Sequence, residues 1–152
     1  MTEHQLTARR AAWIATLMTG VLLQACSAEQ GPTGSGTRVY AADMSGGAKT
    51  CEVAKVSPVD GQSTDTTMKL DSGGGWCGLH LRQSDGRPFD VGLLSERPAH
   101  GTVVIHQVGD ETRVDYTADR GFTGSDSFSV KMIPGNAAIH ISVTVVPAAA
   151  RA

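Results

Sequence analysis

Short segments in which apolar and polar residues alternate are the feature of this 152-residue sequence that most limits its fold. In the clearest one, residues 139–145 read IHISVTV, so that every second side chain is apolar. Because successive side chains of a strand point to opposite faces of a sheet, this period of two predicts a strand with one buried face. Further segments of this kind occur at residues 128–132, 114–116, 77–81, 91–93 and 103–105.

Turn-forming residues separate these segments. Gly and Asn occur at residues 85–86, 109–110 and 134–136, where they adopt backbone shapes that other residues disfavour. Segments 51–56 and 67–70 could add one or two strands, and no helical pattern of useful length follows the first 26 residues. We therefore predict an all-β fold, a small antiparallel β-sandwich of about seven strands.

The amino terminus has the pattern of an export signal. Arg9 and Arg10 precede an apolar run at residues 11–23, and small or polar residues follow it. A helical run of about thirteen residues rises roughly 20 Å, which is less than the ~30 Å hydrocarbon core of a bilayer. We therefore predict that residues 1–25 form a cleaved signal peptide rather than a permanent membrane-spanning helix.

The residues LQAC at 23–26 resemble the lipobox of bacterial lipoprotein signal peptides. In that family the cysteine is alkylated by a diacylglyceryl group and the chain is then cut before it. The resemblance implies that Cys26 carries lipid and anchors the protein to a membrane. The alternative is an ordinary signal peptide with a chance cysteine near its cleavage site. Lipidation of Cys26 would leave Cys51 and Cys77, the other two of three cysteines, as a disulfide pair.

The organisation predicted for the rest of the chain follows from composition. Residues 26–50 are rich in Gly, Ser, Thr and Ala and read as a flexible tether. The sandwich is predicted to span residues 51–147, and residues 148–152 to form a disordered tail. Loss of residues 1–25 changes the formal net charge from −2 to −3 and leaves no basic patch. We therefore expect no nucleic-acid partner.

Three motifs in residues 97–146 invite comparison with a family: RPAHGTVVI, VDYTADRGFTGSDSFSV and the closing HISVTVV. They resemble bacterial immunoglobulin-like and cadherin-like domains, which occur in surface adhesins and other exported proteins. The resemblance implies that Gly121 and Gly124 turn the chain at one end of an immunoglobulin-like sandwich. It also implies that Phe122 plugs that end and that Asp126 accepts backbone hydrogen bonds.

The cysteine spacing differs from that of antibody domains, whose bridge joins two sheets across a long interval. The interval between Cys51 and Cys77 is short. We therefore expect this disulfide to join the first strand region to its neighbour.

Two motifs invite a catalytic or metal-binding interpretation. The run DSGG at 71–74 resembles the nucleophile segment of chymotrypsin-like proteases, but the sole histidine before Ser72 is His4, inside the signal segment. We therefore predict a loop there. His80, His106 and His140 fall on outward positions of different strands, where we expect contacts with solvent. We expect no catalytic residue, no metal and no cofactor.

Two residues are candidate ligand contacts. Trp76 follows three glycines and alternates with Cys77, so an exposed indole could stack on a sugar ring or a partner surface. The alternative is that Trp76 packs against the tether or an adjacent strand. His100 is the second candidate.

The function predicted from these features is that of a non-catalytic lipoprotein of the bacterial cell envelope, which serves adhesion or binds an unknown protein or polysaccharide. We expect the protein to be exported and lipid-anchored, with the outer membrane or cell surface favoured. The alternatives are a structural spacer or assembly factor of the envelope, or a cryptic hydrolase.

Overall fold

The computed structural model describes residues 39–149. The predicted signal peptide, Cys26 and the first part of the predicted tether lie outside these residues. The described chain forms one short helix, α1 (Ala41–Met44), and eight strands: β1 (Cys51–Val53), β2 (Ser63–Asp71), β3 (Trp76–Leu81), β4 (Val91–Glu96), β5 (Gly101–Val108), β6 (Glu111–Ala118), β7 (Gly124–Ile133) and β8 (Ala137–Val146). No helix within residues 39–149 is long and apolar enough to cross a membrane.

The eight strands form two facing sheets. The larger sheet has the order β1-β2-β8-β7-β4, and the smaller has the order β3-β6-β5. Each of the six alternating segments lies within a strand. The predicted all-β sandwich is therefore confirmed.

The core lies between the sheets and is built from the apolar positions of the alternating segments. Burial of each aliphatic or aromatic side chain there contributes roughly 1.5–3 kcal/mol. The buried side chains include Met68, Leu70, Leu79, Leu81, Val114, Tyr116, Phe128, Val130, Met132, Ile139, Ile141, Val143 and Val145.

One strand pairing departs from the predicted antiparallel arrangement. Strand β2 runs parallel to β8, with Met68 opposite Val143 and Leu70 opposite Val145, whereas the other paired strands are antiparallel. Alternation in a sequence shows which side chains of a strand are buried, but it carries no information on the direction of the neighbouring strand. The predicted antiparallel sandwich therefore contains one parallel pair of strands.

The disulfide between Cys51 and Cys77 joins the two sheets. Cys51 lies on β1 and Cys77 on β3, with their Cα atoms 5.3 Å apart. Each strand is an outermost strand of its own sheet, so the bridge closes one side of the sandwich. The predicted cysteine pairing is confirmed, but the expected link to the neighbouring strand is wrong. The ladder neighbour of β1 is β2, and Cys51 instead bridges to the facing sheet.

The loops gather at the two ends of the sandwich. The end called the Gly109 end below contains the loops at residues 57–62, 82–90, 109–110 and 134–136. The opposite end, called the Gly121 end, contains residues 72–75, 97–100, 119–123 and 147–149.

Candidate functional site

Residues 39–48, called the strap below, cross the outer face of the smaller sheet from the Gly109 end to the Gly121 end. At the start of the strap, Val39 lies so near Gly109 that a Cβ on that glycine would come within 3.0 Å of Val39 Cγ2. At its end, Gly47 forms a β-bridge with Trp76, and the Ala48 N–H donates to the Trp76 carbonyl at 2.8 Å. Residues 39–48 fall within the segment predicted as a flexible tether, but they are held against the sandwich by these contacts.

A buried ion pair lies beneath the strap on β6, the central strand of the smaller sheet. Arg113 is only 2% exposed, and its Nε and Nη2 atoms donate to the Asp115 carboxylate at 2.8 and 2.9 Å. The remaining Nη1 donates to the carbonyl oxygen of Asp43 in the strap. Opposite Asp115 on β3 is Gly78, where an added Cβ would lie 2.7 Å from Asp115 Oδ1. Cover from the strap explains how two charged groups on the outer face of a sheet are buried.

Trp76 packs against the strap and this ion pair. Its indole N–H donates to the Ser45 carbonyl at 2.7 Å, and the Arg113 guanidinium carbon lies 3.9 Å from the ring centroid. A Cβ on Gly47 would contact the six-membered ring at ordinary van der Waals distance. Of the two interpretations of Trp76, the structure supports packing against the segment predicted as tether. A ligand could stack on both ring faces only after the strap and Arg113 had moved.

The three outward histidines of the strands lie in separate clusters. His106 is half-buried, with its Nε2 2.9 Å from Asp115 Oδ2, and His80 Nδ1 lies 2.7 Å from Glu111 Oε2. His140 belongs to the larger sheet, on the opposite side of the sandwich. Within the part of the chain that the structure describes, no group of three or more His, Cys, Asp or Glu side chains is arranged to hold a metal ion.

A Ser–His–Glu cluster that sequence reasoning missed lies on the outer face of the larger sheet. Ser129 Oγ donates to Glu96 Oε2 at 2.5 Å and lies 3.0 Å from His140 Nδ1. In a hydrolase the histidine stands between the serine and the acid, each bound to a different ring nitrogen. Here the acid binds the serine hydroxyl directly and lies 3.8 Å from the same Nδ1. The cluster therefore lacks the order of groups that activates a nucleophile.

Asp126 organises the Gly121 end. Its carboxylate accepts hydrogen bonds from the backbone N–H groups of Ala99, His100 and Ser127 and from the Tyr116 hydroxyl, all at 2.9–3.0 Å. Partial burial acts to raise the pKa of Asp126, but these four hydrogen bonds outweigh it and hold the pKa below its ordinary value. Burial, followed by the hydrogen bond to Asp126, raises the pKa of Tyr116. The structure thus shows the backbone hydrogen bonds that the family resemblance implied for Asp126.

His100 lies at the same end, in the loop before β5. Its exposed ring stacks on Phe122, with ring centroids 4.2 Å apart and planes 14° from parallel. Phe122 packs against the core, and Gly121 and Gly124 on either side have φ of +79° and +132°. His100 and Trp76 therefore belong to different surfaces, the first to the Gly121 end and the second to the outer face of the smaller sheet.

A cleft of about 360 Å³ lies between the strap and the DSGG loop. Its buried charged group, Asp71, accepts hydrogen bonds from the N–H groups of Thr50 at 2.6 Å and Gly73 at 2.9 Å. The bond from Thr50 is the main cause of the lowered pKa of Asp71. Ser72 Oγ accepts from the Ala148 N–H, so this segment is the loop that the sequence predicted.

Comparison with known proteins gives one family match. Residues 53–146, more than half of the chain, match the sequence pattern of the family described as bacterial Ig domain. Among curated proteins, no sequence match was found. The matched range begins within β1 and ends with the last residue of β8, so it covers the sandwich but not the strap.

Proposed function

Because the chain belongs to the bacterial immunoglobulin-like domain family, we propose that this immunoglobulin-like module is held at the bacterial cell envelope by lipid on Cys26 and binds a partner there without catalysis. The partner is a protein or a polysaccharide of the envelope. The proposal combines the family, the lipobox-like residues 23–26 and the chemistry of the three cysteines.

The observation that carries the proposal is the cysteine pairing. The Cys51–Cys77 bridge uses two of the three cysteines, so acylation of Cys26 would leave no cysteine as a free thiol. Stable disulfides are typical of exported proteins, because the cytosol keeps thiols reduced. Two or more acyl chains on one cysteine also give stable membrane attachment, whereas a single chain gives only marginal binding.

The arrangement of the reactive side chains favours a binding role over catalysis. Ser72 accepts a hydrogen bond from Ala148, and Ser129 is bound directly by Glu96. The carboxylate of Asp126 is engaged by four donors that hold loops in place. These groups stabilise the module, and its loops and outer faces are the surfaces left for a partner.

Acylation of Cys26 tests the proposal directly. In native cells grown with labelled palmitate, the protein should incorporate label and fractionate with membranes, and its intact mass should show an acylated Cys26 as the first residue. Cys26→Ala should abolish labelling and release the protein, whereas the neighbouring Ser27→Ala should leave both unchanged. Membrane association that survives Cys26→Ala without acyl mass would refute the anchor.

A further inference from the structure

We infer that the strap determines which end of the module the anchored chain enters, and that it thereby directs the Gly121 end away from the membrane. The inference rests on the proposed lipid anchor, which places the protein at a membrane. The end at which the chain enters the module is argued from the contacts of residues 39–50.

The strap is attached along its length by hydrogen bonds that use its backbone. Arg113 holds the Asp43 carbonyl and the Trp76 indole holds the Ser45 carbonyl. The backbone N–H of Trp76 donates to the Gly46 carbonyl at 3.1 Å, and the Trp76 carbonyl accepts from the Ala48 N–H. Undocking the strap would expose the Arg113 charge and break these bonds. The lost hydrogen bonds and the apolar surface of Trp76 exposed to water both cost free energy, so the docked strap is favoured.

Docking moves the point at which the chain enters the sandwich from one end to the other. With the strap in place, the chain meets the module at Val39, beside the β5–β6 turn of the Gly109 end. Without the strap, the first fixed residue would be Thr50, whose backbone exchanges hydrogen bonds with Asp71 at the Gly121 end. The strap therefore reverses the end that is tied to the anchor.

The reversal matters because few residues separate the proposed anchor from the strap. Twelve residues lie between Cys26 and Val39, and a flexible chain of about that length would have a root-mean-square span of roughly 20 Å. A ten-residue strand such as β8 is about 33 Å long at ~3.3 Å per residue. The end at which the chain enters thus lies nearer the membrane on average. The opposite end, with exposed His100, Asp119 and Arg120, then faces outward.

The experiment measures energy transfer from each end of the module to the membrane. The acylated protein is placed in phosphatidylethanolamine–phosphatidylglycerol vesicles that contain an acceptor-labelled lipid. A fluorescent amino acid replaces either Gln62, exposed at the Gly109 end, or Arg120, exposed at the Gly121 end. We expect higher transfer from position 62 than from position 120. Equal transfer, or the opposite order, would overturn the inference.

Two variants test whether the strap causes this order. Gly46 has φ of +79°, which proline cannot adopt, so Gly46→Pro should undock the strap. Trp76→Ala removes the indole donor and is an independent route to the same state. In both variants the Ala48 amide should lose protection from hydrogen exchange and the order of transfer should reverse. Met44→Ala, at an exposed strap side chain, is the matched control and should preserve protection and order.

The outcomes separate this inference from the proposed function. If Ala48 stays protected in both variants, or if undocking leaves the order unchanged, the inference fails even when Cys26 is acylated. If native protein carries no acyl group, the proposed function fails. The strap can then still be tested on nickel-chelating lipid, with a histidine tag in place of residues 1–26 of the chain.

Discussion

Asp126 is the residue on which the Gly121 end depends most, because one carboxylate connects the loop before β5, the start of β7 and the buried Tyr116 of β6. Its four donors come from three separate parts of the chain. Hydrogen bonds to a charged group contribute roughly 1.5–3 kcal/mol each, more than those between neutral groups. The effects of changing Asp126 or Tyr116 should therefore appear in global stability.

Tyr116→Phe should lower the free energy of unfolding by about 1–3 kcal/mol. The change removes the hydroxyl that bonds to Asp126 and to the His100 carbonyl, while the stacked contact with Phe128 is retained. Urea denaturation monitored by circular dichroism measures the effect. Tyr40→Phe, at an exposed tyrosine, is the control and should have no measurable effect. Equal stability of the two variants would contradict this account of the Tyr116 hydroxyl.

Acid should destabilise the protein through Asp126. Its folded pKa lies below the ordinary value of 3.8, so the charged carboxylate contributes stability at pH values above about 4. This contribution is lost as the pH falls from there through the folded pKa. Asp126→Asn should flatten the fall in unfolding free energy between pH 5 and about 2. Asp71 and Glu111, whose pKa values are also lowered, should maintain part of the acid sensitivity. An unchanged pH profile in Asp126→Asn would be inconsistent with this role.

For single residues, the sequence predicted which face of a strand a side chain lies on better than which other side chains it contacts. Alternation at residues 114–116 predicted that Val114 and Tyr116 face the core, which is correct. It gave no sign that Arg113 and Asp115, on the outer face of β6, are also buried. Their burial depends on the strap, a segment many positions away in the chain. The Ser129–His140–Glu96 cluster was also missed, because the register of three strands brings these residues together. A sequence pattern shows the face of a strand but not its register with the next.

Among the elements, β1 is the shortest strand, and the disulfide compensates for its few ladder contacts. The bridge fixes β1 to the facing sheet across a sequence separation of 26 residues. On the chain-entropy estimate, closing a loop of that size stabilises a protein by about 3.5 kcal/mol.

Reduction of the disulfide should therefore lower the melting temperature by roughly 10–20 °C, since ~1 kcal/mol corresponds to about 4 °C in a domain of this size. Calorimetry of the protein with and without a reducing agent measures this shift. A Cys51→Ser/Cys77→Ser variant should show the same lowered midpoint without reductant, and Cys26→Ala should melt like the parent. A midpoint that reduction does not move would show that β1 is held by its other contacts.

The pairing of β3 with β6 depends on a residue without a side chain. A Cβ at Gly78 would lie 2.7 Å from Asp115 Oδ1 and 3.0 Å from Arg113 Cδ, so Gly78→Ala should displace the ion pair. We expect a loss of about 1–3 kcal/mol in unfolding free energy. Gly47→Ala, whose Cβ would meet the Trp76 ring at an ordinary 3.7 Å, is the comparison and should be tolerated. Chemical denaturation of both variants decides between these outcomes.

The sequence did not predict that residues 39–48 dock on the sheet, and the reason is physical. The Gly, Ser and Ala residues of the strap resemble those of flexible linkers, and its helix α1 has only four residues. The bonds that hold it are made by its backbone carbonyl and N–H groups, which every sequence possesses. Distinctive side chains are found only on the sheet beneath the strap, where Trp76 and Arg113 on adjacent strands donate hydrogen bonds to strap carbonyls.

For the molecule as a whole, the structural unit begins before the range that matches the family. The match starts at residue 53 and thus omits Cys51 and the strap. A chain of residues 39–149 should unfold cooperatively with the midpoint of a chain of residues 26–152. A chain of residues 53–149 lacks the bridge and exposes Arg113, so it should melt at least 10 °C lower. Thermal unfolding followed by circular dichroism compares them, and equal midpoints would place the true boundary at residue 53.

The way the chain enters the sandwich also has a mechanical consequence. Tension applied through the proposed lipid anchor would act first on residue 39 and would peel the strap from the sheet one hydrogen bond after another. The peeling would stop at Cys51, because the covalent bridge to Cys77 passes the load directly into β3. The strap would then extend under tension, and the strands beyond the bridge would keep their fold while the chain that leads to them lengthens.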